Sequence, residues 1–160
     1  MTQDDELRPH RFTIEPARPR GFEPAFVQEG AGGLPLLLVH GWPETKRIFW
    51  RNVGPLSKAG FEVIAPDLRG FGDSELAPDV FCDVPAHSRD LYALVRDPLG
   101  HSRVVAAGGD LGGPVIQDLS LRYARFGPFL VRDAGQFLQW EAAEILNSAV
   151  RAFCQDLLPT

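Results

Sequence analysis

Cysteine is scarce in this chain of 160 residues, which contains only Cys82 and Cys154. The two cysteines lie far apart in the sequence, and neither belongs to a CxxC pair. Isolated cysteines of this kind predict neither a disulfide framework nor a zinc site. We therefore expect two reduced thiols and a protein that uses no metal ion or other cofactor.

Long apolar runs are also missing. The longest one, Leu34–Val39, is far shorter than the ~20 apolar residues that a membrane-spanning helix needs. The sequence begins with MTQDDELRPH, which is acidic and lacks the apolar core of a secretory signal. We expect a protein that does not bind membranes and that resides in the cytoplasm.

Positive charge is in deficit, with 16 lysines and arginines against 21 aspartates and glutamates and a net charge of −5. Proteins that grip a phosphate backbone usually show the opposite balance, so we expect no nucleic acid partner. Hydrophobic residues make up 44% and charged residues 23% of the sequence, which is typical of globular proteins. A chain of this length is expected to form one domain.

What the chain does contain is an alternation of strand and helix patterns. Three short apolar runs predict buried strands: Leu34–Val39, Phe61–Ala65 and Val104–Ala107. Helical patterns follow these runs at Thr45–Ala59, at Val84–Arg96 and between Gly112 and Ala124. Gly54-Pro55 is a candidate break in the first of these helices. This alternation predicts an α/β fold, in which a parallel sheet is covered by helices on both faces.

Patterns near the two ends of the chain are weaker. Short strands are predicted at Arg11–Ile14 and Ala25–Gln28, with a turn between them at Pro16–Pro24, and a brief strand at Phe129–Val131. Phe137–Leu158 shows a helical spacing of apolar residues, which predicts an amphipathic helix. Its apolar face is predicted to consist of Leu138, Ala142, Ile145, Ala149, Phe153 and Leu157.

The most informative stretch is GGDLGG at Gly108–Gly113, which lies between the third strand and its helix. Gly108, Gly112 and Gly113 around Asp110 are typical of a strained turn that packs too tightly for a Cβ atom. Such a turn holds the aspartate at its apex, in the layout of a nucleophile elbow, where serine is more common. The plainer alternative is that Asp110 only caps the following helix.

Other polar segments follow the ends of the neighbouring strands. His40–Pro43 follows the first predicted strand, and Asp67–Ser74 follows the second. Because active groups gather beyond the carboxyl ends of parallel strands, we expect both segments to lie near Asp110. Some of their side chains are expected to support the loops rather than to act in catalysis, namely His40, Asp67, Arg69 and Ser74.

Four segments, taken in order, resemble one known family: HGWPE at His40–Glu44, Trp50, APDLRGFGDS at Ala65–Ser74, and GGDLGG. Roughly residues 10 to 124 are similar to the α/β-hydrolase fold, and specifically to its epoxide hydrolase branch. The resemblance implies a three-layer sandwich around a mostly parallel, eight-stranded sheet, with a helical cap inserted after the sixth strand. It also implies an aspartate nucleophile, a small apolar epoxide-like substrate, and a histidine and an acid late in the chain.

The chemistry of an aspartate nucleophile follows from its charge. A carboxylate with a pKa of about 3.9 is ionised at neutral pH, so Asp110 needs no base to attack an electrophilic carbon. The attack opens a strained ring and leaves an ester on Asp110, which a histidine-activated water must then hydrolyse. This second step needs an oxyanion hole.

By resemblance, the oxyanion hole consists of the backbone N–H groups of Trp42 and Leu111. The residues that support this turn are then His40, Gly41 and Pro43. Because the loop must turn sharply, Trp42-Pro43 is a candidate cis peptide bond. Leu111 stands where a tryptophan often follows the nucleophile in haloalkane dehalogenases. The absence of an indole N–H there counts against halide binding and against a dehalogenase-like alternative.

The chain departs from this family after the GGDLGG turn. All of its histidines precede Asp110, so no residue matches the late catalytic histidine: they are His10, His40, His87 and His101. Its only tyrosines, Tyr92 and Tyr123, precede the cap position, so the cap tyrosines that protonate the epoxide oxygen have no counterpart. We expect residues 1–160 to form one partial domain without the cap and the C-terminal strands, similar to the family up to about residue 124 and with a divergent helical tail at 125–160. Such a truncated hydrolase is expected to be impaired in turnover.

Two other classes of function compete with this hypothesis. A non-catalytic pseudoenzyme or interaction module would use Phe137–Leu158 to cover exposed sheet or to pair with another chain, and a homo-oligomer could form through the uncovered sheet or this helix. A nucleotide-binding module would use the glycine-rich turn as a phosphate cradle. However, the GxGxxG pattern is absent, because Asp110 occupies the place of the middle glycine. The sequence therefore favours the hydrolase.

Overall fold

The computed structural model describes residues 20–123 and 142–158. Strands and helices alternate along this part of the chain. The strands are β1 (Phe26–Glu29), β2 (Leu34–Val39), β3 (Phe61–Pro66) and β4 (Val105–Gly108). The helices are a short 3₁₀ helix (Lys46–Phe49), α1 (Trp50–Lys58), α2 (Val84–Arg96), α3 (Gly112–Arg122) and α4 (Ala143–Phe153).

The four strands form one open, mixed sheet in the order β1-β3-β2-β4. β2 runs parallel to both of its neighbours, and Leu37 is paired with Ile64 on β3 and with Ala106 on β4. β1 runs antiparallel to β3. The α/β class and the mostly parallel sheet predicted from the sequence are confirmed.

Helices cover both faces of this sheet. Side chains alternate along β2, so Leu37 and Val39 pack on the side of α2 and α3, whereas Leu36 and Leu38 pack on the side of α1 and α4. Each of these side chains is fully buried, which stabilises the fold by about 1.5–3 kcal/mol per side chain. The result is a three-layer core with the sheet in the middle.

α1 differs from the predicted helix in where it starts and in its continuation through Pro55. The predicted break at Gly54-Pro55 is wrong, because α1 continues through Pro55 to Lys58. A proline inside a helix leaves one carbonyl without its usual N–H donor, here the carbonyl of Arg51. Asn147 of α4 donates to that carbonyl oxygen with its Nδ2 atom at 3.3 Å. The real division lies earlier, where the 3₁₀ helix gives way to α1 at Trp50.

α4 buries a different face from the predicted one. On the predicted face, Ile145 and Leu157 are 59% and 58% exposed. The side chains that α4 does bury are Ala143, Leu146, Asn147 and Val150. The apolar pattern does not reveal this face, because the face includes Asn147. Oδ1 of Asn147 accepts a hydrogen bond from Asn52 Nδ2 at 2.8 Å. α4 also ends at Phe153 rather than at Leu158.

The remaining predicted elements agree with the structure where it describes them. The predicted strands match β2, β3 and β4 to within one residue at each end, and the helix Val84–Arg96 is observed with both of its predicted ends. Arg11–Ile14, Phe129–Val131 and Leu138 lie outside the described residues. Cys82 and Cys154 are free thiols. In residues 20–123 and 142–158, no helix is long and apolar enough to cross a membrane.

Candidate active site

Asp110 lies in a tight turn between β4 and α3. Its φ angle is +49°, in the left-handed region that non-glycine residues rarely adopt. Gly108 and Gly112 on either side pack against the backbone of β2, where a Cβ atom on either residue would overlap the carbonyl oxygen of Val39. Gly113 has open space instead, so the expectation of tight packing there is wrong. The turn therefore presents the Asp110 side chain at the exposed carboxyl edge of the sheet.

The Asp110 carboxylate accepts two backbone hydrogen bonds on a single oxygen. The N–H of Trp42 donates to Oδ1 at 2.8 Å, and the N–H of Leu111 donates to the same atom at 2.6 Å. These hydrogen bonds, the one from Trp42 first, lower the pKa of Asp110 below its usual value. Asp110 is therefore an anion at neutral pH, with its two oxygens in different environments.

The loop after β2 brings Trp42 to this carboxylate. Its Trp42-Pro43 peptide bond is cis, as the sequence analysis predicts. Gly41 lies directly against Asp110, and a Cβ atom on it would come within 2.6 Å of the Asp110 Cβ atom. Glu44 closes the loop, because its Oε2 atom accepts the Gly41 N–H at 2.7 Å. The sequence segment HGWPE thus forms one compact turn beside the carboxylate.

His40 is fully buried under this turn and uses both of its ring nitrogens. Nδ1 lies 2.8 Å from the carbonyl oxygen of Gly41, and Nε2 accepts the N–H of Leu68 at 2.9 Å. Nδ1 must therefore carry the proton, which makes the imidazole neutral. Burial also lowers the pKa of His40. The ring connects the loop after β2 with the loop after β3, and it does not bond to Asp110.

The loop after β3 is organised around the buried carboxylate of Asp67. Asp67 accepts hydrogen bonds from the backbone N–H of Lys46 at 2.6 Å, from the Lys46 ammonium and from the backbone N–H of Asp73 at 2.7 Å. Ser74 Oγ donates to the Asp67 carbonyl oxygen at 2.8 Å. The Lys46 ammonium also bonds to Asp73 and lowers the pKa of that carboxyl. Asp67 and Ser74 therefore hold their own loop together.

Arg69, in the same loop, reaches further than the sequence suggests. Its guanidinium donates to both carboxylate oxygens of Asp90 on α2 and to Asp79. Asp90 is also paired with Arg20 at 2.7 Å. Lys46 and Asp90 were not predicted from the sequence, because neither has a periodic or motif signal, and no role was predicted for Glu44 within the HGWPE segment. The buried charges thus tie the loop to α2.

The other described histidines, His87 and His101, form no hydrogen bond with Asp110. His87 is buried on α2. The ring of Phe71 lies between the two buried histidines, with centroid distances of 6.2 Å to His87 and 5.3 Å to His40. His101 Nε2 pairs with Glu62 Oε1 at 3.0 Å, at the amino ends of the strands. In the part of the chain that the structure describes, no histidine forms a hydrogen bond with Asp110.

The chain matches a known family. The family model of the α/β hydrolase fold matches residues 35–134, so the chain belongs to the α/β hydrolase fold family. Within that family, it is 43% identical over 104 residues to the soluble epoxide hydrolase of Corynebacterium sp. (strain C12). It is 37% identical over 87 residues to an epoxide hydrolase of Caballeronia sordidicola. The chain is thus similar to epoxide hydrolases, and its four-stranded sheet is a partial α/β hydrolase core.

A solved structure agrees with the sequence relatives. The epoxide hydrolase CorEH without ligand superimposes with a TM-score of 0.66 and 35% sequence identity, over 72% of this chain and 39% of that chain. The matches to the Corynebacterium and Caballeronia relatives cover 65% and 54% of this chain. They cover only 35% and 26% of the relatives themselves. The chain therefore spans about a third of the length of these proteins.

Proposed function

We propose that this chain carries the nucleophilic part of an epoxide hydrolase, with Asp110 as the nucleophile at the apex of a nucleophile elbow. The single observation that supports this most is the pair of backbone N–H donors, from Trp42 and Leu111, on Oδ1 of Asp110. The similarity to proteins named as epoxide hydrolases supports a small apolar epoxide as the substrate. We also propose that residues 1–160 form one partial domain.

In the first step, Oδ2 of Asp110 attacks a ring carbon of the epoxide. A bond forms between Oδ2 and that carbon, the ring C–O bond breaks, and its electron pair moves to the epoxide oxygen, which takes a proton from solvent water. The product is an ester of Asp110 in which Oδ1 has become the carbonyl oxygen. The carboxylate is ionised at neutral pH, as this step requires.

In the second step, water attacks the ester carbonyl carbon and negative charge develops on Oδ1. The N–H groups of Trp42 and Leu111 lie 2.8 and 2.6 Å from this oxygen before the reaction starts. They would stabilise the developing charge without rearrangement, as an oxyanion hole does. Collapse of the intermediate breaks the bond between Cγ and Oδ2, so that the diol leaves with Oδ2 as one of its hydroxyl oxygens. The oxygen of the water stays on Cγ beside Oδ1 and completes the regenerated carboxylate. One proton of the water goes to the departing hydroxyl and the other to solvent.

The second step also needs a base to activate the water, and the described residues offer none. His40 already uses both ring nitrogens, His87 is buried on α2, and His101 is paired with Glu62. No histidine follows Asp110 in the sequence. We therefore expect this chain by itself to form the ester and to hydrolyse it slowly.

Intact-mass spectrometry after incubation with styrene oxide tests this proposal. We expect a single addition equal in mass to the epoxide, mapped to Asp110 by peptide sequencing and absent in an Asp110→Asn variant. An Asp118→Asn variant is the matched control, since Asp118 is a carboxylate on α3 that is paired with Arg122. An adduct on another residue would rule out Asp110 as the nucleophile, and steady release of diol would rule out impaired turnover.

A second candidate function is a non-catalytic interaction module. It is favoured by two observations: β4 is paired on one side only within the described residues, and α4 exposes Ile145. Exposed sheet edges and apolar side chains promote association. In this case no adduct forms on Asp110, and light scattering shows a dimer or larger assembly. A dilution-stable monomer that forms the adduct excludes this candidate.

A further inference from the structure

Glu44 forms hydrogen bonds with both the N–H and the carbonyl oxygen of Gly41, the residue before Trp42. Its Oε2 atom accepts the N–H of Gly41 at 2.7 Å, and its own N–H donates to the carbonyl oxygen of Gly41 at 3.1 Å. His40 Nδ1 contacts the same carbonyl oxygen at 2.8 Å. The Glu44 side chain is buried. Both peptide groups of Gly41 are therefore held by hydrogen bonds.

The second of these peptide groups also carries the Trp42 N–H. Because a peptide unit is planar, the direction of the Gly41 carbonyl fixes the direction of the Trp42 N–H at its opposite side. That N–H points at Oδ1 of Asp110. A rotation of this peptide plane would take the donor away from the oxygen while leaving Asp110 in place.

Gly41 is also the residue that most needs such support. It cannot carry a side chain, because a Cβ atom would come within 2.6 Å of the Asp110 Cβ atom. Glycine has more backbone freedom than any other residue, so it cannot by itself maintain one peptide orientation. A buried acceptor for its N–H restricts this freedom without occupying the space beside Asp110.

We propose that Glu44 is a positioning residue, which keeps the Trp42 N–H aimed at Oδ1 by accepting the Gly41 N–H. This inference rests on the proposed function of Asp110. Glu44 acts here as a hydrogen-bond acceptor, so its charge is not required. Its effect falls on ester hydrolysis, in which charge develops on Oδ1, and not on ester formation, in which the carboxylate loses charge.

Three variants separate these roles. Glu44→Gln keeps an acceptor oxygen of similar reach, whereas Glu44→Leu removes the acceptor and retains the bulk. Glu75→Gln serves as a control for the change in charge in another loop, where Glu75 Oε2 accepts the N–H of Glu23. The Asp110 ester is formed with styrene oxide, excess epoxide is removed, and its decay is followed by intact-mass spectrometry in buffer that contains imidazole as an external base.

We expect Glu44→Leu to slow ester hydrolysis by about 10- to 100-fold, which is below the loss for complete removal of an oxyanion donor. Ester formation in this variant should not be slowed. Glu44→Gln and Glu75→Gln should hydrolyse the ester within about 3-fold of the unmodified chain, a change of under 1 kcal/mol. The ratio of the two rates is compared, because partial unfolding reduces both. Equal slowing of both steps, or a Glu44→Gln variant as slow as Glu44→Leu, would overturn the proposal.

An NMR measurement tests Glu44 even if no epoxide reacts. The Trp42 amide proton shift should change on Asp110→Ala substitution in the unmodified chain and in Glu44→Gln, because the hydrogen bond to Oδ1 is lost. In the Glu44→Leu background, Asp110→Ala should change the Trp42 amide proton shift far less, since the hydrogen bond from Trp42 to Oδ1 is already weakened there. A full change in the Glu44→Leu background overturns the role of Glu44. An absent ester adduct with the expected NMR result instead contradicts the proposed function of Asp110.

Discussion

Arg69 and Asp90, 21 residues apart in the sequence, form a two-pronged ion pair inside the protein. Nε and Nη2 of Arg69 each donate to a different carboxylate oxygen of Asp90. Both side chains are buried. Nη1 of Arg69 also donates to the carbonyl oxygen of Phe81 at 2.9 Å. One side chain thus connects both ends of the long loop between β3 and α2 to α2 itself.

Arg69→Met should destabilise the protein strongly. It leaves the buried carboxylate of Asp90 with Arg20 as its remaining ion-pair partner, and breaking a buried pair costs about 3–5 kcal/mol. Urea unfolding measures the loss. Arg89→Met is the matched control, because Arg89 is an exposed arginine beside Asp90, and it should change stability by less than about 0.5 kcal/mol. A loss below about 1 kcal/mol for Arg69→Met would contradict the structural role of the pair.

Asn147→Leu should weaken the packing of α4 on α1. It removes the donor to the Arg51 carbonyl and leaves the buried amide of Asn52 with only the Ala143 carbonyl oxygen, at 3.4 Å, as its acceptor, at a cost of about 1–3 kcal/mol. An added Pro55→Ala change should reduce that cost, since alanine at this position supplies the missing helical N–H. Ser148→Ala is the control, because Ser148 is the exposed residue next to Asn147. If Pro55→Ala does not reduce the cost, Asn147 does not compensate for the proline.

Acid should destabilise the protein before its carboxylates titrate. Burial lowers the pKa of His40 and His87 below 6.5, so the unfolded chain binds more protons than the folded chain below that pH. Their contribution to stability is complete above about pH 6.5 and is lost as the pH falls towards the folded-state values. We expect the urea concentration at the unfolding midpoint to decrease as the pH is lowered from about 6.5 to about 5. His87→Phe should reduce this decrease, and an unchanged pH dependence in that variant would exclude His87 as a cause.

Gly41→Ala should abolish formation of the Asp110 ester. The new methyl group would come within 2.6 Å of the Asp110 Cβ atom, so either the turn or Asp110 must move. Gly113→Ala places the same methyl group in open space on α3 and is the matched control, which should retain ester formation. The adduct is measured by intact mass, with circular dichroism to verify folding. Ester formation at an unchanged rate in Gly41→Ala would show that the close contact is unimportant.

Local sequence signals were sufficient for the elements that carry the site. β2, β3 and α2 have compact apolar patterns with clear ends, and GGDLGG gives the turn at Asp110 because glycine is needed where backbones approach. The family resemblance added the candidate donors of Trp42 and Leu111, which the structure brings to the same oxygen.

Interactions between distant side chains could not be predicted in this way. The apolar pattern gave the wrong face of α4, because the buried face is completed by a hydrogen bond between Asn52 and Asn147, 95 residues apart. The pairing of Arg69 with Asp90 likewise has no periodic signal in the sequence. Such contacts depend on how elements meet after folding, and polar residues at these positions look like surface residues until their partners are known.

The position of β4 has a dynamic consequence for Asp110. β4 has four residues, and among the described strands it is bonded only to β2. A short strand held along one edge opens by local fluctuation more readily than a central one. Each opening would separate Asp110 from the Trp42 N–H on the loop after β2. Under the proposed function of Asp110, this opening would limit the fraction of molecules that are ready to react, and amide hydrogen exchange at Ala106 and Gly108 would report it.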